Sequence, residues 1–483
     1  MNIARSSVKL SIAHGLTALV TFGGVAVFAN LLPPSELGTY FLFEALVGVL
    51  AIPADFGIRG AVKKRISEDN TPGKMLSSAL LMKLLPMTVI IAGVILFSGF
   101  ISTYVGSDIV VLLALGILGS ELYKLGIGIL SGELRVGETA TIRLAHRAIW
   151  FAAGYAFIRY GLGVSGIIYG LLLAYALPFI WTMVKRSTPF RRPSREQFQS
   201  LTAYSKYNFL SSLSGYFYSW MDVLVIGLFL TSSHVGSYEI AWRVTAVVIL
   251  GSRAIAQTIF PQVSRWDANR AIDRIEWLIP RIITPSLLIA IPAFFGTVLL
   301  SREILTYVFD PEYATAWLVL IVLMGEKILQ SVHVIIGRSL KAIDHPELAA
   351  KAAIIAMVVN LVLNLVLIWR FGIIGAAVAT VTSFGLNTFL CMQYLSRFLR
   401  VEIPWREIGW LLLASTGMAS ILWGVLSIIA IDSLPRLLGT IAFGAVLYGV
   451  FVLLFPTLRA QALRSLQMVK SDGTPGEPIQ SND

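Results

Sequence analysis

The chain has 483 residues, of which 56% are hydrophobic and only 13% charged, against roughly 25% charged in soluble domains. Water is therefore not its main solvent, and the formal net charge of +11 reads as basic loops beside membrane spans rather than as a nucleic-acid footprint. The single cysteine, Cys391, lies inside an apolar run and excludes both a disulfide framework and a thiolate metal cluster.

Apolar runs of about 20 residues, enough to cross roughly 30 Å of hydrocarbon as a helix, recur along almost the whole chain. The first, Leu10 to Leu32, is longer than a signal-peptide core and ends in Pro33-Pro34 without a small-residue cleavage site, so it reads as a retained helix. Further spans fall near 37–58, 75–98, 109–131, 140–158, 164–184, 207–230, 236–260, 278–300, 315–337, 351–368, 373–396, 408–431 and 437–456. The expectation is an all-α integral membrane protein of about fourteen transmembrane helices with no soluble domain. The tail from Lys470 to Asp483 is polar and rich in Gly and Pro, a composition that predicts disorder.

The connections alternate in character. Those at Arg59 to Lys74, Lys185 to Lys206, Gln262 to Arg281 and Arg397 to Arg406 are basic, whereas Pro33 to Glu36, Gly99 to Asp108 and Thr231 to Val235 carry no Lys or Arg. Counting residues at span ends with the adjoining loop, one side holds 29 of the 38 basic residues and the other only Arg159, Arg302, Arg370 and Arg436. The positive-inside rule then places both termini in the cytoplasm, for a multi-pass protein of the cytoplasmic membrane.

The chain echoes itself. Leu32-Pro-Pro-Ser-Glu-Leu-Gly-Thr-Tyr40 matches Leu230-Thr-Ser-Ser-His-Val-Gly-Ser-Tyr238 at an offset of 198, and Arg159-Tyr-Gly161 matches Arg370-Phe-Gly372 at an offset of 211. These echoes imply two six-helix lobes in parallel orientation, 1–205 and 206–396, followed by a helix pair over 397–469 and the tail 470–483. Repeated lobes suit alternating access around a central site.

Polar chemistry inside the spans marks candidates for that site. Asn208, Ser212, Gly215, Ser219 and Asp222 share one face of the seventh helix, and shifting back by 198 gives Leu10, His14, Thr17, Thr21 and Gly24 on the first. Small and hydroxylated residues at such spacing also serve close helix packing. Asp222 differs: a carboxylate in hydrocarbon costs several kcal/mol on most estimates and normally faces a partner or a wet cavity. We therefore take Asp222, with His14, Thr17, Thr21, Asn208, Ser212 and Ser219, as gating or ion-coupling candidates. Among the other charges, Glu121 with Lys124 and Glu239 with Arg243 have the spacing of internal salt bridges. Lys83 and Arg253 have no such helical neighbour; a wet interior or an anionic substrate would account for them, and Lys83 can also snorkel toward the cytoplasmic face.

No HExxH, P-loop, GxSxG or DxD-like cluster occurs, and His14, His146, His234, His333 and His345 form no recognisable metal-ligand set. The expectation is a transporter, not an enzyme.

Several stretches resemble the polysaccharide-unit flippases of the multidrug, oligosaccharidyl-lipid and polysaccharide exporter superfamily. They are Leu31 to Tyr40, Asp222-Val-Leu-Val-Ile-Gly227 leading to Val235-Gly-Ser-Tyr-Glu-Ile-Ala241, Phe309-Asp-Pro-Glu-Tyr-Ala314, and Asn360 to Asn364 followed by Phe371-Gly-Ile-Ile-Gly-Ala-Ala-Val-Ala-Thr380. The resemblance implies a two-lobed carrier that moves lipid-linked oligosaccharides from the cytoplasmic to the outer leaflet, without a cofactor. Its implied partners are the lipid-linked glycan, membrane lipids and glycan-assembly proteins of the same pathway. If the carrier lipid bears phosphate, a cationic lumen of Lys83, Lys124, Arg243, Arg253 and Lys327 would attract its head group. The alternatives are a multidrug or cation exporter of the same superfamily and, less well matched, a membrane glycan polymerase or ligase. The longest external connection, Ser301 to Ala314, is short for the catalytic loop of such an enzyme.

Overall fold

A computed structural model describes residues 3–68 and 72–455, with the side chains of all of these except 3–12, 14, 204 and 206–219. The polar tail 470–483 lies outside the described residues. Lipid offers no partner to backbone N–H and C=O groups, so a chain this apolar must satisfy them within helices. No strand occurs among the described residues.

Among the described residues seventeen α-helices follow in order: α1 (Ile3–Ala29), α2 (Pro34–Asp55), α3 (Ile58–Glu68), α4 (Pro72–Leu96), α5 (Ser98–Val105), α6 (Val110–Gly132), α7 (Val136–Arg159), α8 (Gly163–Lys185), α9 (Arg195–Phe229), α10 (Ser232–Ala246), α11 (Leu250–Ala268), α12 (Ile272–Leu287), α13 (Ala290–Ile304), α14 (Trp317–Ala342), α15 (Pro346–Leu395), α16 (Trp405–Leu426) and α17 (Leu434–Leu453). Proline opens α2, α15 and α17, where its missing N–H has no partner to lose.

Among the described residues nine helical stretches are long and apolar enough to cross a membrane, and a bent pair would make a tenth. This stops short of the fourteen spans expected, partly because two neighbouring spans run together. The 50-residue α15, broken only at Gly372, takes in both expected spans 351–368 and 373–396, whereas α12 and α13 together form the one stretch, Ile272–Phe309, expected near 278–300. The expected span over 236–260 is interrupted between Ala246 and Leu250, at the β-branched run Val247-Val248-Ile249, whose side chains restrict helical rotamers. Two connections expected to be loops are helical. The basic α3 turns Lys63 and Lys64 outward while Ile58, Ala61, Val62 and Ile66 join a core with Met75, Leu76, Leu125 and Leu201, and α5 occupies much of Gly99 to Asp108.

The helices group into two compact units. The first comprises the described part of Met1–Val247 with Val308–Leu323 and Ala350–Asn387. Here α2 packs against α4, α6, α8, α9 and α10, and α7 pairs with α8 and α1. The echoed segments meet in this unit. A Cβ on Gly38 would be driven into the Ser232 carbonyl, and one on Gly236 into the Pro34 carbonyl. Since 34 and 232, like 38 and 236, are 198 residues apart, the contact is reciprocal, as across a local two-fold axis. The second echo is one tight turn used twice: Gly161 and Gly372 have φ of +86° and +60°, values that cost a glycine nothing. In the motif after Phe309, Asp310 caps a 3₁₀ turn by accepting from Glu312 N, and buried Tyr313 donates to the Leu32 carbonyl at 3.1 Å.

The second unit comprises Val248–Tyr307, Met324–Ala349 and the described part of Thr388–Asp483. In it α13 packs on α16 and α17, and α12 on α11. Ser252 joins α11 to its neighbours, donating to the Ser286 carbonyl at 2.7 Å and meeting the Ser331 hydroxyl at 3.0 Å.

Candidate functional site

Among the described residues of the first unit, three polar clusters are buried or half-buried. In the first, the Lys83 ammonium on α4 lies 2.8 Å from Asp55 at the end of α2 and 2.5 Å from Glu121 on α6, and Lys124 completes it at 3.2 Å from Glu121. The Lys83 and Glu121 side chains are 3% and 1% exposed. Two cations and two carboxylates thus balance, which is what allows them to sit away from water. Asp55 is held in turn by the Arg59 amide, which donates to it across the α2–α3 junction.

The second cluster is centred on Glu44 of α2. Arg243 of α10 pairs with it at 3.1 Å and with Glu239, one turn away, at 3.3 Å. Arg147 of α7 approaches Glu44 at 3.8 Å. The Arg243 guanidinium also covers the Phe41 ring at 4.5 Å, a cation–π contact that helps to hold it in place.

The third is a hydrogen-bonded lattice on Asp222 near the end of α9. Tyr238 of α10 donates to Oδ2 at 2.7 Å, Thr380 to Oδ2 at 2.6 Å and Asn364 Nδ2 to Oδ1 at 2.7 Å. Asn364 Nδ2 also reaches Asn360 Oδ1 at 3.1 Å, and Asn360 Nδ2 donates to Ser383 at 3.0 Å. Both arms of α15 therefore converge on one carboxylate. Among the described residues Asn364 Oδ1 accepts no hydrogen bond, although the side chain is fully buried. No group of three or more His, Cys, Asp or Glu placed to hold a metal occurs among the described residues.

Several expected residues are thus brought together and others are not. Lys83 and Lys124 share one cluster, Arg243 anchors a second, and Asp222 the third. Lys327 and Arg253 belong to the second unit. There Lys327 lies 2.5 Å from Glu326, while Arg253 is exposed on α11. Lys83, expected to lack a neighbour on its own helix, finds two carboxylates on other helices. Thr17 and Thr21 turn their hydroxyls back to the carbonyls of Ala13 and Thr17, at 2.6 and 2.7 Å, the usual way a helix absorbs a buried hydroxyl. The side chains of His14, Asn208, Ser212 and Ser219 lie outside the described residues. The sequence reading missed Arg147 and the role of Thr380 and Ser383 around Asp222.

A family model described as polysaccharide biosynthesis protein matches residues 27–319. A protein of Haloferax volcanii named "probable low-salt glycan biosynthesis flippase Agl15" is 48% identical over 466 residues, covering 96% of this chain and 99% of the relative. The chain belongs to the polysaccharide biosynthesis protein family. A second Haloferax volcanii member-like relative, named "probable flippase AglR", is 28% identical over 94% of this chain and 95% of its own. Among solved structures, the lipid II flippase MurJ in an inward closed conformation matches with a TM-score of 0.75 at 18% identity, over 92% of this chain and 98% of that one. An inward-facing multidrug resistance transporter of the MATE family matches with a TM-score of 0.65 at 17% identity, over 81% of this chain and 97% of that one. These two likenesses establish the fold, an all-helical architecture, for this member of the polysaccharide biosynthesis protein family.

Proposed function

We propose that this protein is a flippase for lipid-linked oligosaccharide or polysaccharide units, carrying them from the cytoplasmic to the outer leaflet of the cytoplasmic membrane by alternating access. The observation that carries the reading is the near full-length identity to a relative named as a glycan biosynthesis flippase. The drug-exporter alternative is supported only by likeness of fold. Physical chemistry agrees, because each sugar hydroxyl buried in hydrocarbon without a partner costs roughly 1–3 kcal/mol. A glycan can cross only through a polar interior, and the first unit supplies one while the lipid tail stays in the bilayer.

In this reading the basic members of the clusters meet the phosphate of the carrier. Lys83 and Arg243 are each neutralised by carboxylates, so a phosphate would enter by exchange, replacing a carboxylate as the partner of the cation. Arg253 and Lys327, in the second unit, are further cationic candidates for the head group. Asp222 serves gating or ion coupling: it ties α9, α10 and both arms of α15, so its charge and their arrangement are linked. Asp222→Asn keeps the shape but removes the charge that three donors converge on. Transport in that variant should fall at least about tenfold, in line with about 1.5–3 kcal/mol for a hydrogen bond to a charged group. Glycan export in cells carrying the variant at normal protein level measures this, and undiminished export would remove Asp222 from the mechanism.

The decisive experiment for the function is the sidedness of lipid-linked oligosaccharides in cells depleted of the protein. A membrane-impermeant glycan probe is applied to intact and to opened cells. Accumulation on the cytoplasmic leaflet, reversed by the wild-type gene, is expected. Unchanged sidedness rejects the flippase and favours small-molecule export.

A further inference from the structure

The two copies of the repeat differ in what faces the echoed tyrosine. In the second copy the Tyr238 hydroxyl donates to Asp222 at 2.7 Å. Shifted by 198 residues, Tyr238 becomes Tyr40 and Asp222 becomes Gly24. The carboxylate is gone from the first copy, and among the described residues the Tyr40 hydroxyl has no hydrogen-bond partner at 1% exposure. Trp150 of α7 fills the space instead. A Cβ on Gly24 would lie 2.9 Å from its ring, and the ring stacks on Tyr40 with centroids 6.2 Å apart.

Tyr40 is not alone. The Trp150 indole N–H, at 1% exposure, and His146 Nε2 one turn away on α7, at 6% exposure, also have no hydrogen-bond partner among the described residues. Three unsatisfied polar atoms so close together are unusual, because buried polar groups are nearly always paired. They sit beside the Glu44 cluster. Tyr40 is within electrostatic reach of Glu44, Arg147 and Arg243, and Arg147 lies over the Trp150 ring at 5.6 Å. The edge of the group is open, with the Arg147 and Glu44 side chains 27% and 13% exposed.

We infer that Tyr40, His146 and Trp150, together with Glu44, Arg147 and Arg243, form a carbohydrate subsite that takes up the hydroxyl groups of the sugar next to the carrier phosphate. The chemistry fits such a ligand. A hydroxyl group both donates and accepts, so a pyranose can serve an indole N–H, a phenol and an imidazole nitrogen at once. Aromatic faces suit its C–H surface, and Arg147 and Arg243 beside Glu44 offer the cations that a phosphate joined to that sugar would need. This inference rests on the flippase reading and adds the residues that read sugar rather than phosphate.

Its test exploits an asymmetry. Removing an unsatisfied buried polar atom does not destabilise a fold, whereas removing one that binds a ligand weakens the ligand. Tyr40→Phe and Trp150→Phe are purified in nanodiscs and titrated with two probes: a polyprenyl-phosphate-linked hexose and the bare polyprenyl phosphate. Each variant should bind the glycosylated probe about fivefold more weakly and bind the bare phosphate as wild type does; Tyr40→Phe, which removes only the hydroxyl, should show a thermal midpoint at or above that of wild type, whereas Trp150→Phe also leaves a cavity beside Gly24 and should lose stability. Wild-type affinity of both variants for the glycosylated probe overturns the subsite and leaves the flippase reading standing. Failure of the wild-type protein to bind either probe overturns that reading and the subsite with it. Arg243→Gln separates the two ends of the ligand, since it should weaken both probes.

Discussion

Replacing Gly38 by Ala should abolish most transport and destabilise the protein by about 3 kcal/mol or more, at the upper end of what overpacking costs. The added methyl meets main chain rather than a side chain that could swing away. It would collide with the Ser232 carbonyl and stand 2.9 Å from Gly236 N, so α2 and α10 must move apart along a contact that organises the first unit. Gly236→Ala should behave alike, being the reciprocal half of the same crossing. The two costs should not add, because a separation made for the first methyl accommodates much of the second. Gly23→Ala is the control: a Cβ there meets nothing within 4 Å, so helix propensity alone predicts a neutral or slightly stabilising change of up to about 1 kcal/mol. Thermal unfolding of the three single variants and of the Gly38/Gly236 double variant measures these differences. Equal midpoints for Gly23→Ala and Gly38→Ala would show that the two helices are not held in this close approach.

That crossing also shows what the sequence made legible. The offset of 198 and the identical Gly38 and Gly236 could be read from one chain, because equivalent positions in a repeat face equivalent problems. Their mutual contact could not, since only the packing of α2 on α10 brings the copies together. Spans were legible where hydrocarbon dictates composition, and less so where two of them fuse, as in α15, or where a break depends on backbone freedom, as after Ala246. Charges behaved in the same way. The i, i+3 and i, i+4 pairs of Glu121 with Lys124 and Glu239 with Arg243 follow from helical geometry and are formed. The carboxylates that neutralise Lys83 come from two other helices and carry no local signal. Asp222 stood out as a charge in hydrocarbon, yet its donors lie 16, 142 and 158 residues away. Only the Tyr238–Asp222 hydrogen bond turns the alignment of Gly24 with Asp222 into the statement that Tyr40 has lost its acceptor.

The ion pair of Lys83 with Glu121 separates structure from transport. Glu121→Leu leaves Lys83 and Lys124 facing Asp55 alone, an uncompensated positive charge in a site almost without water, and should cost about 3–5 kcal/mol. Lys83→Met combined with Glu121→Leu removes one charge of each sign. The remaining Asp55 and Lys124 balance, and hydrophobic replacement of a buried pair is often neutral or stabilising, so the double variant should recover the stability that the single variant loses. Transport should not recover with it. If Lys83 exchanges its carboxylates for the phosphate of the carrier lipid, the double variant is a well-folded protein with no cation at that position, and glycan export should stay at least about tenfold below wild type, the loss of a charge-assisted contact. The measurement pairs thermal midpoints in detergent with export in cells at matched protein levels. Export that returns together with stability would reduce Lys83 to an internal counter-ion of Glu121, and the search for the phosphate partner would move to Arg243, whose guanidinium can grip a phosphate with two parallel N–H bonds as an ammonium cannot.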